Sequence, residues 1–118
     1  MDLDSTTSER IEELQILEGN VQSLLMQKQS TQIESNEVDN ALSEVTNAKD
    51  EVYKILNGVM IKSSKDKIIK ELEEKKKILD LRLNSILKQE NLLDDKAEKL
   101  RKIINEEMSK QQKKSNKS

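Results

Sequence analysis

Histidine, cysteine, tryptophan, phenylalanine and proline are all missing from this sequence, and it holds a single Tyr and two Gly among its 118 residues. Compact cores draw heavily on aromatic side chains, each of which buries a large apolar area. A chain with one aromatic, 33% hydrophobic and 37% charged residues is poorly equipped to close a core of its own. Without Cys or His there is no thiol nucleophile, no imidazole base, no ordinary zinc site and no disulfide. Gly19 and Gly58 stand far apart, so no glycine-rich loop is present to cradle a nucleotide phosphate. The acidic pairs Glu12-Glu13 and Asp94-Asp95 diverge on a helix and read as solvated charge, not as a cation site. These absences argue against an enzyme and against any cofactor.

Long apolar stretches are missing too. The longest runs are three residues, Leu24-Leu25-Met26 and Val59-Met60-Ile61. A bilayer-crossing helix needs about 20. The acidic N-terminus lacks the features of a signal peptide, so the expectation is a cytoplasmic protein with no membrane partner.

What is abundant is Glu, Lys, Leu and Ile with almost no helix breakers, a composition suited to long helices and coiled coils. From about residue 9 to 48 the apolar residues fall into heptads. One seam position runs Leu14, Val21, Lys28, Ser35, Leu42 and the other Leu17, Leu24, Thr31, Val38, Val45. A second register occupies about residues 64–110, through Leu72, Leu79, Ile86, Leu93, Leu100 and through Lys76, Leu83, Glu90, Ala97, Ile104. The 3–4 spacing predicts two coiled-coil helices, each about 60–70 Å long. Their charges are complementary. Residues 1–62 hold 5 basic and 12 acidic side chains, a balance of −7, and residues 63–118 hold 16 and 11, a balance of +5. Antiparallel pairing of the two arms sets one against the other. Facing residue numbers would then total about 114 or about 121, and with the larger total Thr31 would meet Glu90.

Between the helices the period changes. Val52-Tyr53-Lys54-Ile55-Leu56, Asn57-Gly58 and Val59-Met60-Ile61-Lys62 read as a β-hairpin over residues 52–62, with Asn-Gly supplying the positive φ of a type I′ turn. Leu56 should face Val59, Ile55 should face Met60, and Tyr53 should face Lys62. Asn47 and Asp50 are candidate terminators of the first helix, and Ser63-x-x-Asp66 a candidate cap for the second. The hairpin is apolar on both faces, with Val52, Leu56, Val59 and Ile61 on one and Tyr53, Ile55 and Met60 on the other. A lone two-stranded sheet is marginal in water. Two apolar faces and two unpaired edges predict strands completed by other chains, so these seven residues are the candidate oligomer interface. The fold class is thus helix-dominated, with a small β element: a long antiparallel coiled-coil hairpin in one domain over residues 1–110. Residues 111–118 form a polar tail, expected to be disordered.

The order and spacing of several stretches resemble the prefoldin β-subunit family, most closely its archaeal members, over about residues 10–108. The resemblance is carried by Gln27-Lys28-Gln29, Val52-Tyr53-Lys54, Ile61-Lys62-Ser63-Ser64-Lys65, Glu71-Leu72, Leu81-Arg82-Leu83-Asn84 and Lys88-Gln89-Glu90. One departure lies in the turn, where the family usually has Gly directly after the first strand and this chain has Asn57 before Gly58. The resemblance implies an ATP-independent holdase chaperone subunit in a hetero-hexamer of two α-type and four β-type subunits. The hairpins would close into a β-barrel platform. The coiled-coil tips would grip unfolded client proteins and pass them to a group II chaperonin.

A holdase needs exposed, unselective apolar surface. On that reading the client-binding candidates lie near the helix ends: Leu3, Ile11, Leu14, Ile16, Leu17, Leu100, Ile103, Ile104 and Met108. Leu14, Leu17, Leu100 and Ile104 belong to the seam, where closing the coiled coil is their plainer role; Ile11, Ile16, Ile103 and Met108 lie off it. Met26, Ile33, Ile78, Leu81 and Leu92 are off-seam aliphatics farther along the arms, suited to lining an inner wall or to packing on a neighbour. Two other functions compete. A structural scaffold or adaptor without chaperone activity would have no need of the hairpin. A nucleic-acid binder is disfavoured by the net charge of −2 and the near absence of stacking aromatics.

Overall fold

The computed structural model describes residues 5–116, with side chains through Lys113. The element order is α1 (Ser5–Asn47), β1 (Val52–Leu56), β2 (Val59–Ser63) and α2 (Lys65–Asn116). Both helices run past their apolar periodicity, α1 starting before Glu9 and α2 continuing beyond Lys110. Residues 111–116 are therefore helical where a disordered tail is expected from composition. The end of a seam does not end a helix: Gln and Lys propagate one well, and neither Gly nor Pro interrupts them.

The junctions are closed by specific groups. α1 stops at Asn47, where Ala48 N–H folds back onto Val45 O at 3.2 Å. The Lys65 ammonium donates to Ala48 O at 3.2 Å, a cation placed where the end of α1 is electronegative. At the start of α2 the cap is Ser64, not Ser63: its Oγ accepts from Lys67 N–H at 3.2 Å, while Ser63 is the last residue of β2. Sheet pairing holds Ser63 extended, which moves the cap one residue on.

The chain divides into two compact units, one of residues up to Gln27 with those from Ile86 onward, the other of Lys28–Ser85. In the first, Leu24, Ile86, Ala97, Leu100 and Ile104 are buried between α1 and α2. Each fully buried Leu or Ile contributes about 1.5–3 kcal/mol. Ala97 in that row permits close approach of the helices. The second unit buries Val38, Ile68 and Leu79, but also Thr31 and Ser35. Here the seam turns polar. Lys76 donates to Ser35 Oγ at 2.6 Å and to Asp39 Oδ2 at 2.8 Å. Each unit holds a cross-helix pair close to the smaller of the two registers the heptads allow, about 114: Thr7–Glu107 in the first and Asp39–Lys76 in the second. Every seam position read from the sequence is buried or half-buried.

Candidate functional site

The hairpin follows from its sequence with little freedom. β1 and β2 pair antiparallel with Leu56 opposite Val59, Ile55 opposite Met60, Lys54 opposite Ile61 and Tyr53 opposite Lys62. Asn57 at φ 51° and Gly58 at φ 79° occupy the left-handed region, as a type I′ turn demands at both central positions. Asn substitutes here for Gly because it tolerates that region better than most side chains.

One face of the hairpin leans on the helices of its own unit. Val52 is half-buried there, and Lys54 Nζ pairs with Glu71 Oε2 at 3.0 Å. A hollow of about 320 Å³ lies beneath, floored by Ala41, Val45, Ile68 and Leu72. On the other face Glu51 ties the strands together. It accepts from Lys62 Nζ at 2.7 Å and from Tyr53 Oη at 2.8 Å. The Lys62 ammonium, and after it the Tyr53 hydroxyl, hold the Glu51 carboxyl below its ordinary value of 4.5. Beyond these anchors the described residues leave the apolar side chains largely uncovered. Tyr53, Ile55, Leu56, Val59, Met60 and Ile61 are all exposed in the single chain, Ile55 at 71% and Met60 at 67%. Among the described residues the sheet has two strands, so each outer edge lacks a strand partner there.

The helix-end candidates divide by register. Ile16, Ile103 and Met108 are exposed, Ile16 at 65%. Ile11, Leu14 and Leu17 are half-buried, whereas Leu100 and Ile104 are buried against α1. Leu3 lies outside the described residues. All the described members of this set fall in the unit made of residues up to Gln27 and from Ile86 onward. Met26 and Leu92 add to its exposed apolar surface, as does Leu87, which the sequence reading passes over. In the unit of Lys28–Ser85, Ile33, Ile78 and Leu81 are exposed on the helices.

A polar clasp was also hidden from the apolar pattern. Thr7, fully buried, donates to Glu107 Oε2 at 2.6 Å, and Arg10 pairs with the same carboxylate. Thr7 sits one heptad before Leu14, Arg10 one before Leu17 and Glu107 one after Leu100. Extending the heptads through polar residues would have found it.

Among the described residues no group of three or more His, Cys, Asp or Glu side chains is placed to hold a metal ion. No helix among them is long and apolar enough to cross a membrane.

Comparisons with known proteins agree with this geometry. A family model for prefoldin subunits matches residues 8–112. The prefoldin subunit beta of Pyrobaculum calidifontis is 32% identical over 95 residues, covering 79% of this chain and 76% of that one. The prefoldin subunit beta of Sulfurisphaera tokodaii is 38% identical over 99 residues, covering 82% and 79%. Among solved structures, the prefoldin beta subunit from Thermococcus strain KS-1 superposes with a TM-score of 0.83 at 30% identity, covering 89% of this chain and 94% of that one.

Proposed function

Because the chain belongs to the prefoldin subunit family, as a β-type member and so a chaperone subunit, we propose that it is an ATP-independent holdase working within a hetero-oligomer. The observation that carries this reading is exposed apolar surface in both units, on the hairpin foremost. A hairpin with bare faces and bare edges belongs to one unit, and a second set of exposed aliphatics belongs to the other. The hairpin serves assembly, completing a shared sheet with α-type subunits and other copies of this chain, two α to four β. Ile16, Ile103 and Met108, with Ile11 half-exposed beside them, serve the grip on unfolded proteins in the cytoplasm. Handover to a group II chaperonin completes the cycle, with no nucleotide, nucleic acid or membrane required.

Several weak apolar contacts are enough for this task. Linked sites of poor individual affinity gain about 10²–10⁴ in avidity when they engage together. Met108 suits an unselective site because its flexible thioether adapts to irregular partners. The test is aggregation of a chemically denatured client, followed by light scattering, with the chain reconstituted alongside an α-type partner. Ile16→Ser, Ile103→Ser and Met108→Ser together spare the buried seam. The triple variant should assemble normally and protect the client far less well. Protection equal to wild type by a correctly assembled triple variant would move the grip away from these residues.

A further inference from the structure

In the unit of residues up to Gln27 and from Ile86 onward, the two flanks of the helical seam are finished differently. One is bridged, with Arg101 Nη2 reaching Glu18 Oε1 at 3.4 Å. The other is bordered by Glu13, Asn20 and Gln27 on α1 and by Gln89, Lys96 and Ile103 on α2, each set spaced by seven. Such border positions ordinarily carry long charged side chains that pair across the seam and cover it. Here the side chains of Glu13, Lys96 and Lys99 make no ion pair among the described residues, and Ile103 has no charge to offer. The seam shows through as a hollow of about 230 Å³ with Leu17, Leu100 and Ile103 as its apolar floor. Lys96 and Lys99, one helical turn apart on α2, form one lip, and Glu13 stands on the α1 lip. Farther along the same flank a second hollow of about 300 Å³ is lined by polar groups that include Asn20 and Ser23.

We propose that this flank is a docking groove for an extended segment of a non-native protein in which an aliphatic or aromatic side chain lies next to an acidic residue. The proposal deepens the client-binding reading above and rests on it. The apolar group fills the hollow over Leu17, Leu100 and Ile103. Its acidic neighbour is taken by Lys96 and Lys99, and Glu13 repels it from the opposite lip. Asn20 and Ser23 present hydrogen-bonding groups to main-chain amides, which every sequence has. The stretch of this flank from Glu13 to Ser23, which reaches both hollows, is about 15 Å long at 1.5 Å per residue. That accommodates about four residues of extended chain.

The experiment uses the full chain in its reconstituted assembly and three fluorescent eight-residue peptides, each with a central Leu-Phe flanked by Asp, Asn or Lys. Exposed charge pairs are individually weak, so the Asp peptide should bind roughly 3–10-fold tighter than the Asn peptide, with the Lys peptide weakest. That spread should shrink in high salt. Lys96→Glu with Lys99→Glu should invert the order of the Asp and Lys peptides while leaving the Asn peptide within about twofold. Ile103→Ser should weaken all three. Equal binding of the three peptides would overturn the proposal, as would an Asp preference that survives the double lysine variant. Displacement of the Asp peptide by a short single-stranded RNA would overturn it too, assigning the lysines to phosphate. Client aggregation measured in parallel separates the two claims. Lost protection with the peptide order intact counts against the holdase reading, and the reverse counts against the groove alone.

Discussion

Replacing Ile55 and Met60 with lysine puts two cations on cross-strand neighbours that are 71% and 67% exposed in the single chain. Neither side chain supports the helical seam, so the monomer loses little. In a shared sheet both would be covered. Burying the exposed two-thirds of each at about 1.5–3 kcal/mol per full side chain gives about 2–4 kcal/mol per hairpin. At 1.4 kcal/mol per tenfold, losing it weakens each subunit contact by roughly two orders of magnitude. An unpaired buried ammonium adds to that loss, which makes the figure a lower bound. Sedimentation velocity on the variant mixed with an α-type partner should show dissociated chains at concentrations where wild type is fully assembled. Circular dichroism at 222 nm should be unchanged, because α1 and α2 do not depend on these residues. Ile55→Ser with Met60→Ser, which removes the area without adding charge, should shift assembly by the smaller amount. A lysine variant that assembles at wild-type concentrations would show that this face of the hairpin is not an interface.

Two more outcomes follow from local geometry. Glu51 is held below 4.5 chiefly by Lys62 and then by Tyr53. Its stabilising contribution is therefore present above the unfolded value and lost as pH falls through the lower folded one. An NMR titration of the Glu51 carboxyl should give a midpoint below 4.5 that rises in Lys62→Gln and rises less in Tyr53→Phe; indifference to Lys62 would remove the bridge from solution. The two glycines should respond in opposite senses. Gly19→Ala meets open space inside α1 and should stabilise the helix by about 1 kcal/mol, read as a higher melting temperature. Gly58→Ala also meets open space, but at φ +79 it should cost the hairpin about 1–2 kcal/mol, read as faster amide exchange at Val59 and Met60.

Legibility in the sequence followed the range of the interaction. The heptads name every seam residue from Leu14 to Val45 and from Leu72 to Ile104, because burial on a helix repeats with the helix itself. Asn57-Gly58 dictates the strand register for the same local reason, since a two-residue turn leaves one way to pair the flanks. What a single helix cannot reveal is its stagger against the other. The choice between two registers is made by pairings such as Lys76 with Ser35 and Asp39, distant in sequence and invisible until the arms meet. Thr7, Arg10 and Glu107 escape an apolar pattern because they are polar, whereas Leu100 and Ile104, marked as seam by the heptads, are buried. The cap moved from Ser63 to Ser64 because sheet pairing claimed Ser63 first, a competition between neighbouring elements that capping preference alone does not weigh.

The uncovered hairpin also bears on how such a chain must be made. A subunit whose sheet ends in open edges and bare apolar faces is an incomplete object, and every copy synthesised beyond the supply of partners stays incomplete. Such orphans can add strands to one another without limit, the route by which unprotected edges seed aggregates. Their exposed strands also open readily to proteases, while a partner that binds only the native hairpin withdraws them by mass action. If the hairpin is the interface proposed above, supply of the two subunit types has to match. On the assembly proposed above, the six exposed side chains of the hairpin would mark such a surplus, and the same six would hold the assembly together once covered.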